Sequence, residues 1–430
     1  MKSSSLLLLT TLPYCGLALA ADKPASVPQP AGSTQPAGST QPANHKATIQ
    51  QALAASTLQA NFRYRLETVD QDPIANGQTL NSARASTLRS RLTLTTGSWL
   101  NTKALLELDN VSSLGGETYN STVNGHSNYA VVPDPTATDL NQAALIISPF
   151  ASSQLTIGRQ RVNLQNQRFI GSVGWRQNEQ TLDGVRLQQK LFSTTQGSTM
   201  SVDLASLHNA NRIFGPDGTA ADLHGRFQLA TLMWQINPAN TTAIFSYDLD
   251  FDTLSARDSV TQGVDYSGQL ADFKALKWQI ALATQQDAHQ APAPYQHHYH
   301  RLDLSYSFQS LTLKLTQERL AGDGRTAFQT PFATLHAFQG FADLFLNTPV
   351  SGVRDHALEL QLPVQGIKLA ASYHRYDSDS SPLQLGDELN FTAAYDISPQ
   401  LNLLLKLARY QADSYGTDTD KAWLMASYSL

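Results

Sequence analysis

Arg63 and Arg65, with Arg89 and Arg91 at the same spacing, are the residues in this 430-residue chain whose types and positions most clearly suggest chemistry. A step of two puts both members of a pair on one face of a β-strand; Phe62, Tyr64 and Leu66, then Leu88 and Leu92, supply the opposite apolar faces. Lys103, Arg186 and Arg226 join the basic set by the same parity. Guanidinium forks match carboxylates, so stacked rows of them could pass an acidic chain from site to site without trapping it. The same arginines could instead pair with acids on neighbouring strands, and Glu67, Glu107, Asp109, Asp203 and Asp248 are available. Arg159 and Arg161 share parity with Leu155 and Ile157 and stay unassigned.

Other reactive groups make weaker cases. Glu179 and Asp183 in "GWRQNEQTLD" resemble a hydrolase carboxylate pair, but nothing in the sequence sets a working separation, and loop packing is the simpler reading. His298 and His300 in "QHHYH" share one strand face and could form a metal pair, yet histidines exposed at a rim account for them equally well. There is no phosphate-cradling glycine loop, zinc signature or serine elbow, so no enzyme, cofactor or metal is expected. The net charge of −5 points to no nucleic-acid partner.

The elements that must position these groups are strands. Period-two segments recur to the last residue, among them "NFRYRLETV", "TLRSRLTLTT", "KALLELDNV", "LTLKLTQE" and "KAWLMASYSL". They are preceded by "MKSSSLLLLTTLPYCGLALA" (1–20), which has the charge, apolar run and small residues of a cleaved secretory signal peptide. Cys15 is the only cysteine and would leave with that leader; Tyr14 before it argues against a lipoprotein. A Pro/Ala/Ser/Thr-rich segment follows, with "QPAGST" repeated, and residues 21–56 are expected to be a disordered periplasmic linker.

From 57 to 430 the expected fold is all-β. Connections alternate between short and long, and eight short ones on the side of both termini imply nine hairpins, hence about 18 strands. Short turns on one side and long loops on the other describe a transmembrane antiparallel β-barrel with periplasmic turns and extracellular loops. Leu302, Leu304, Tyr306 and Phe308 would face lipid while Arg301, Asp303, Ser305 and Ser307 face the lumen. The last strand, with Tyr428 near its end, is similar to the signal read by the barrel-insertion machinery, with Leu430 in place of the usual Phe. A barrel of this width should enclose water, and its expected place is the bacterial outer membrane, in contact with its lipid.

Several long stretches also carry a family resemblance: 107–143, "GRQRVNLQNQRFIGSVGWRQNEQTLDGV" (158–185), "NRIFG" (211–215), "ATLHAFQGFADLFLNTP" (333–349) and "YQAD" (410–413). They resemble the alginate-export family of outer-membrane barrels. The resemblance implies an 18-stranded channel for passive passage of an anionic polysaccharide or related anionic solutes, with a periplasmic secretion complex as a candidate partner. A specific or general uptake porin for small solutes, and a structural barrel or surface adhesin, are the alternatives.

One segment breaks the alternation. In "TPFATLHAFQGFADLFLNTP" (330–349), Leu335, Phe338, Phe341 and Phe345 recur at three- and four-residue steps, which predicts helical turns between Pro331 and Pro349. Its apolar face needs cover, so it is expected to fold inward as a constriction loop, with His336 and Asp343 towards the channel; a position across the barrel mouth is the other option.

Overall fold

The computed structural model describes residues 48–73, 79–270 and 273–430. The expected leader and the repeats up to residue 47 lie outside the described residues. Residues 48–56, assigned above to the linker, are instead ordered. Helix α1 (Ile49–Ala54) starts with a capping box in which the Gln51 N–H donates to the Thr48 hydroxyl and the Thr48 N–H to the Gln51 side chain, at 3.2 and 2.8 Å. Ala52 is buried and its carbonyl accepts the Gly97 N–H at 3.0 Å, so the helix docks on the first short turn. A Cβ at Gly97 would stand 2.7 Å from that carbonyl.

Eighteen strands follow. The first six are β1 (Thr57–Gln71), β2 (Ala83–Thr95), β3 (Thr102–Ser113), β4 (Ala137–Ile147), β5 (Ser153–Gln160) and β6 (Thr181–Ser193). Then come β7 (Thr199–Asn211), β8 (Asp222–Asn237), β9 (Asn240–Phe251), β10 (Ser259–Gln269), β11 (Leu276–Asp287) and β12 (Gln296–Phe308). The circuit ends with β13 (Leu311–Leu320), β14 (Val353–Val364), β15 (Ile367–Asp377), β16 (Gln384–Asp396), β17 (Leu401–Ala412) and β18 (Thr419–Ser429). Each strand pairs antiparallel with its sequence neighbours, and β1 also pairs with β18, closing an 18-stranded barrel. Closure leaves no unpaired edge, as a membrane interior requires.

The register follows the alternation. On β12, Leu302, Leu304, Tyr306 and Phe308 point outward and exposed, while Arg301 and Asp303 point inward and are buried. Every short connection lies on the side of the termini; the long ones on the other side include loop 2 (114–136), loop 3 (161–180) and loop 7 (321–352).

The interior departs from the expected water-filled lumen. On the loop side it is filled by loops 3 and 7, whose Phe169, Ile170, Trp175, Phe332, Phe341 and Phe345 pack with wall residues such as Phe227, Phe245, Leu249 and Trp423. An apolar filling reverses the polarity of the wall it touches. Phe227 and Leu229 therefore point inward, and Arg226 points outward with its side chain 78% exposed, against Asp250. The inward assignment of Arg226 is thus corrected.

The turn-side half stays polar. A cavity of about 650 Å³ there is lined by Lys277, Gln279, Asp303, Ser305, Ser307, Thr312, Lys314, Gln361 and Lys368.

The outward belt is testable by charge insertion. Leu304→Arg should destabilise the bilayer-inserted barrel by about 2–4 kcal/mol, measured by reversible urea unfolding in vesicles, whereas Ser305→Arg on the lumen side should be close to neutral.

Candidate functional site

The inner wall of β1 and β2 sets Arg63 directly opposite Arg89. Like charges across a ladder repel, and both side chains are at most 1% exposed, so the pair needs oxygen ligands. Loop 3 supplies most of them to Arg63. It donates to the Gly174 carbonyl at 2.8 Å, to the Gln177 side-chain oxygen at 2.9 Å and to the Arg176 carbonyl. Arg65 donates to the Trp175 carbonyl and, at 3.0 Å, to Asp134 of loop 2. Its guanidinium also lies 4.3 Å over the Trp175 ring.

Arg91 grips Asp109 bidentately at 2.7 and 2.5 Å and reaches Glu179 of loop 3 at 2.8 Å. Arg161 bridges Glu107 and Glu179, and Arg176 bridges Glu67 and Asp134. The four wall arginines thus face inward as the parity indicates, but beneath the loops: Arg91 meets Asp109 on the neighbouring strand, Arg65, Arg89 and Arg91 meet the loop acids Asp134 and Glu179, and Arg63 is held by carbonyl and amide oxygens. Burial pushes Glu179 upward, but Arg161 and Arg91 outweigh it and hold its carboxyl well below the ordinary range. Asp134 is likewise raised by burial and lowered further by Arg176 and Arg65.

The remaining basic candidates separate. Lys103 is exposed at the turn end of β3. Arg186 faces inward and holds Asp203 at 2.6 Å. Arg159 lies with Asp183 on the outer face at 3.0 Å. Glu179 and Asp183 therefore stand on opposite sides of the wall and cannot act as a pair. His298 contacts Thr284 and His300 contacts Gln317. No group of three or more metal-ligating side chains occurs among the described residues.

Loop 7 enters the lumen and pairs with loop 3: Gly171 N–H donates to the Phe332 carbonyl at 2.8 Å, and the Gln180 amide donates to the carbonyls of both Gly171 and Phe332. The predicted helical turns reduce to one 3-10 turn, Leu335–Ala337. Gln339, Gly340 and Asp343 adopt φ of 56°, 80° and 62°, which breaks the helix. The cause is tertiary. Glu388 of β16 accepts the N–H groups of Phe341 and Ala342 at 2.5 and 2.9 Å, and a Cβ at Gly340 would lie 2.3 Å from that carboxylate.

Of the four apolar positions, Phe341 and Phe345 are buried. Phe338 is partly covered beneath the guanidiniums of Arg168 and Arg301, and Leu335 is half-buried. His336 is buried rather than facing an open channel. It donates from Nδ1 to Asp343 at 2.8 Å and accepts from Lys406 of β17 at 2.7 Å, while Asp343 also holds Lys421 of β18 at 3.1 Å. Burial lowers His336 to about 3, so its imidazole is neutral.

Sequence reasoning passed over Asp134, Trp175, Arg176, Glu388, Lys406 and Trp423. The signals were present: Asp134 stands between Pro133 and Pro135, and Lys406 takes an inward position in "LNLLLKLARY".

A family model described as alginate export matches residues 55–317. No curated protein matches the chain in sequence. Among solved structures the chain is similar to OccK9 (OpdG) of Pseudomonas aeruginosa, with a TM-score of 0.68 at 14% identity over 88% of this chain and 99% of that one. OccAB4 of Acinetobacter baumannii gives 0.67 at 10%, over 87% and 98%. OpdK of P. aeruginosa, solved with vanillate, gives 0.68 at 13%, over 88% and 99%.

Removing one partner of a buried charge cluster leaves the others uncompensated. Glu179→Gln should weaken loop 3 docking by about 3–5 kcal/mol, read as new tryptic cleavage at Arg161 and Arg176 in an intact, heat-resistant barrel. Because the Glu179 and Asp134 carboxyls sit below their ordinary values when docked, their contribution is complete above that range and is lost as pH falls through the docked values. Single-channel conductance should therefore be constant from about pH 8 to pH 5 and change only below about pH 4.

Proposed function

We infer what the protein carries from the premise that the chain belongs to the alginate-export family and is an outer-membrane β-barrel porin, whose lumen is a path for solutes. The reading best supported is a passive channel for carboxylated saccharides, alginate-like chains or related anionic solutes. The observation that carries it is the turn-side cavity, lined by Lys277, Lys314 and Lys368, with Lys314 3.6 Å from Asp303 and Lys368 2.8 Å from Asp396. Lysine suits such a vestibule because a strongly hydrated ammonium attracts an anion without clamping it.

A second reading, uptake of small anionic solutes, is favoured by the loop-side half, where loops 3 and 7 leave little width for a thick polymer. OpdK's determination with vanillate is consistent with it. In either case the chain reaches the outer membrane after loss of its leader, with the turns and α1 on the periplasmic side, within reach of a secretion partner.

In planar bilayers under a salt gradient the reversal potential should show anion preference. Changing Lys277, Lys314 and Lys368 together to Gln should abolish most of it. Changing Arg63, Arg65, Arg89 and Arg91 to neutral residues should chiefly undock loop 3 and raise conductance. Cation preference in the unaltered channel would defeat the reading.

A further inference from the structure

We propose that Lys406 is a solute-binding residue, covered by loop 7 in this state, and that a solute carboxylate reaches it by displacing that loop from the wall. The inference rests on the anion-channel reading above and assigns its ligand and its gate.

Lys406 is 2% exposed, on the inner face of β17. Its one hydrogen-bond acceptor is the neutral imidazole of His336, and no carboxylate lies within ion-pair distance of it among the described residues. Aromatic faces make up the rest of its surroundings, with Phe341 3.3 Å, Trp175 4.2 Å and Trp423 5.7 Å from the ammonium to the ring centroids. This contrasts with Lys421 on the next strand, which has the Asp343 carboxylate. A buried ammonium held by π faces and one imidazole is stabilised less than one held by a carboxylate, and an apolar side chain would fill the same space without desolvation cost.

Three unmet groups around these rings are donors, while Asn390 of β16 leaves an acceptor unmet. The indole N–H groups of Trp175 and Trp423 and the Nε–H of Arg65 are buried without an acceptor, and all three are donors. Arg65 lies over Trp175, which stacks on His336 at 4.2 Å and meets Trp423 edge-on at 5.8 Å. One cluster therefore combines a cation with several donors lacking acceptors, and the chemistry it lacks is that of a carboxylate oxygen.

The cover carries backbone strain beside its wall contacts. Gln339 and Asp343 hold left-handed φ values that non-glycine residues adopt at a cost, and beside them the lid is held on this wall by Glu388, Lys406 and Lys421. A carboxylate at Lys406 replaces His336 and the Phe341 face. The ligand thus binds only the loop-withdrawn state, and binding and withdrawal are linked. Weakening the lid must tighten binding, whereas removing the ammonium must weaken it.

The test uses D-glucuronate as probe, with D-glucose as control, on full-length channels in planar bilayers. Glucuronate, but not glucose, should interrupt the current saturably. Lys406→Met should raise the half-saturating concentration by about tenfold or more, the worth of one charge-assisted hydrogen bond, and Lys406→Arg should restore part of the binding. Phe341→Ala should lower the half-saturating concentration and raise open conductance, in a barrel whose heat resistance on gels shows that it has folded. Unchanged half-saturation in Lys406→Met, or unchanged or weaker binding in Phe341→Ala, overturns the proposal while a measured anion preference leaves the channel reading standing. Cation preference in the unaltered protein overturns both.

Discussion

Two guanidiniums facing each other across a ladder, Arg63 and Arg89, impose the condition on which the interior depends. Neither position can be buried without oxygen ligands: Arg89 takes the Asn61 side-chain oxygen of β1 at 2.7 Å, and Arg63 is supplied from off the wall. Its ligands come from loop 3, whose chain lies across the lumen with the carbonyls of Gly174 and Arg176 turned to the wall. Glu179 then answers Arg91 and Arg161 from the same loop. Once loop 3 is fixed, Phe332 has a backbone edge to pair with, and loop 7 follows it inward. The arginine row is the foundation of the constriction before it is anything else.

The circumference explains why loops rather than wall residues do the filling. Side chains from an 18-stranded wall cannot meet across the middle, so whatever narrows the lumen must be extra chain. That chain brings its own apolar surface, and the wall responds. Phe227, Phe245 and Leu249 turn inward where loops 3 and 7 press, and polar residues turn inward where they do not. The barrel thus has two interiors: a packed, aromatic, charge-matched one on the loop side and a polar one with lysines in its lining on the turn side.

Buried polar contacts confer different properties in the two loops. Loop 3 is held by paired charges whose loss would leave several ions stranded, which suits a permanent fixture. At the centre of its wall contact, loop 7 is held through Lys406 by an imidazole and ring faces, and it carries left-handed backbone at Gln339 and Asp343. A segment with fewer charge-matched contacts and some strain belongs to the lower end of the stability range within a fold, where moving parts are found.

The sequence by itself determined the strands, their number, the side on which the turns lie and the inward face of β1, β2 and β12. These depend on a two-residue period and on connection length, both local properties. It left open whether Arg63, Arg65, Arg89 and Arg91 meet solute or acid, because their partners Gln177, Asp134 and Glu179 lie far along the chain, Arg63 and Gln177 being separated by 114 positions. It placed Arg226 on the wrong face because parity identifies the polar side of a strand but not which side is wet. It read a helix in residues 330–349 because the apolar spacing is helical, whereas Glu388 takes the N–H groups that a helix would have used. Tertiary structure decided each of these, since the burial of a charge and the pairing of a backbone donor are settled by whatever the closed barrel brings within about 3 Å.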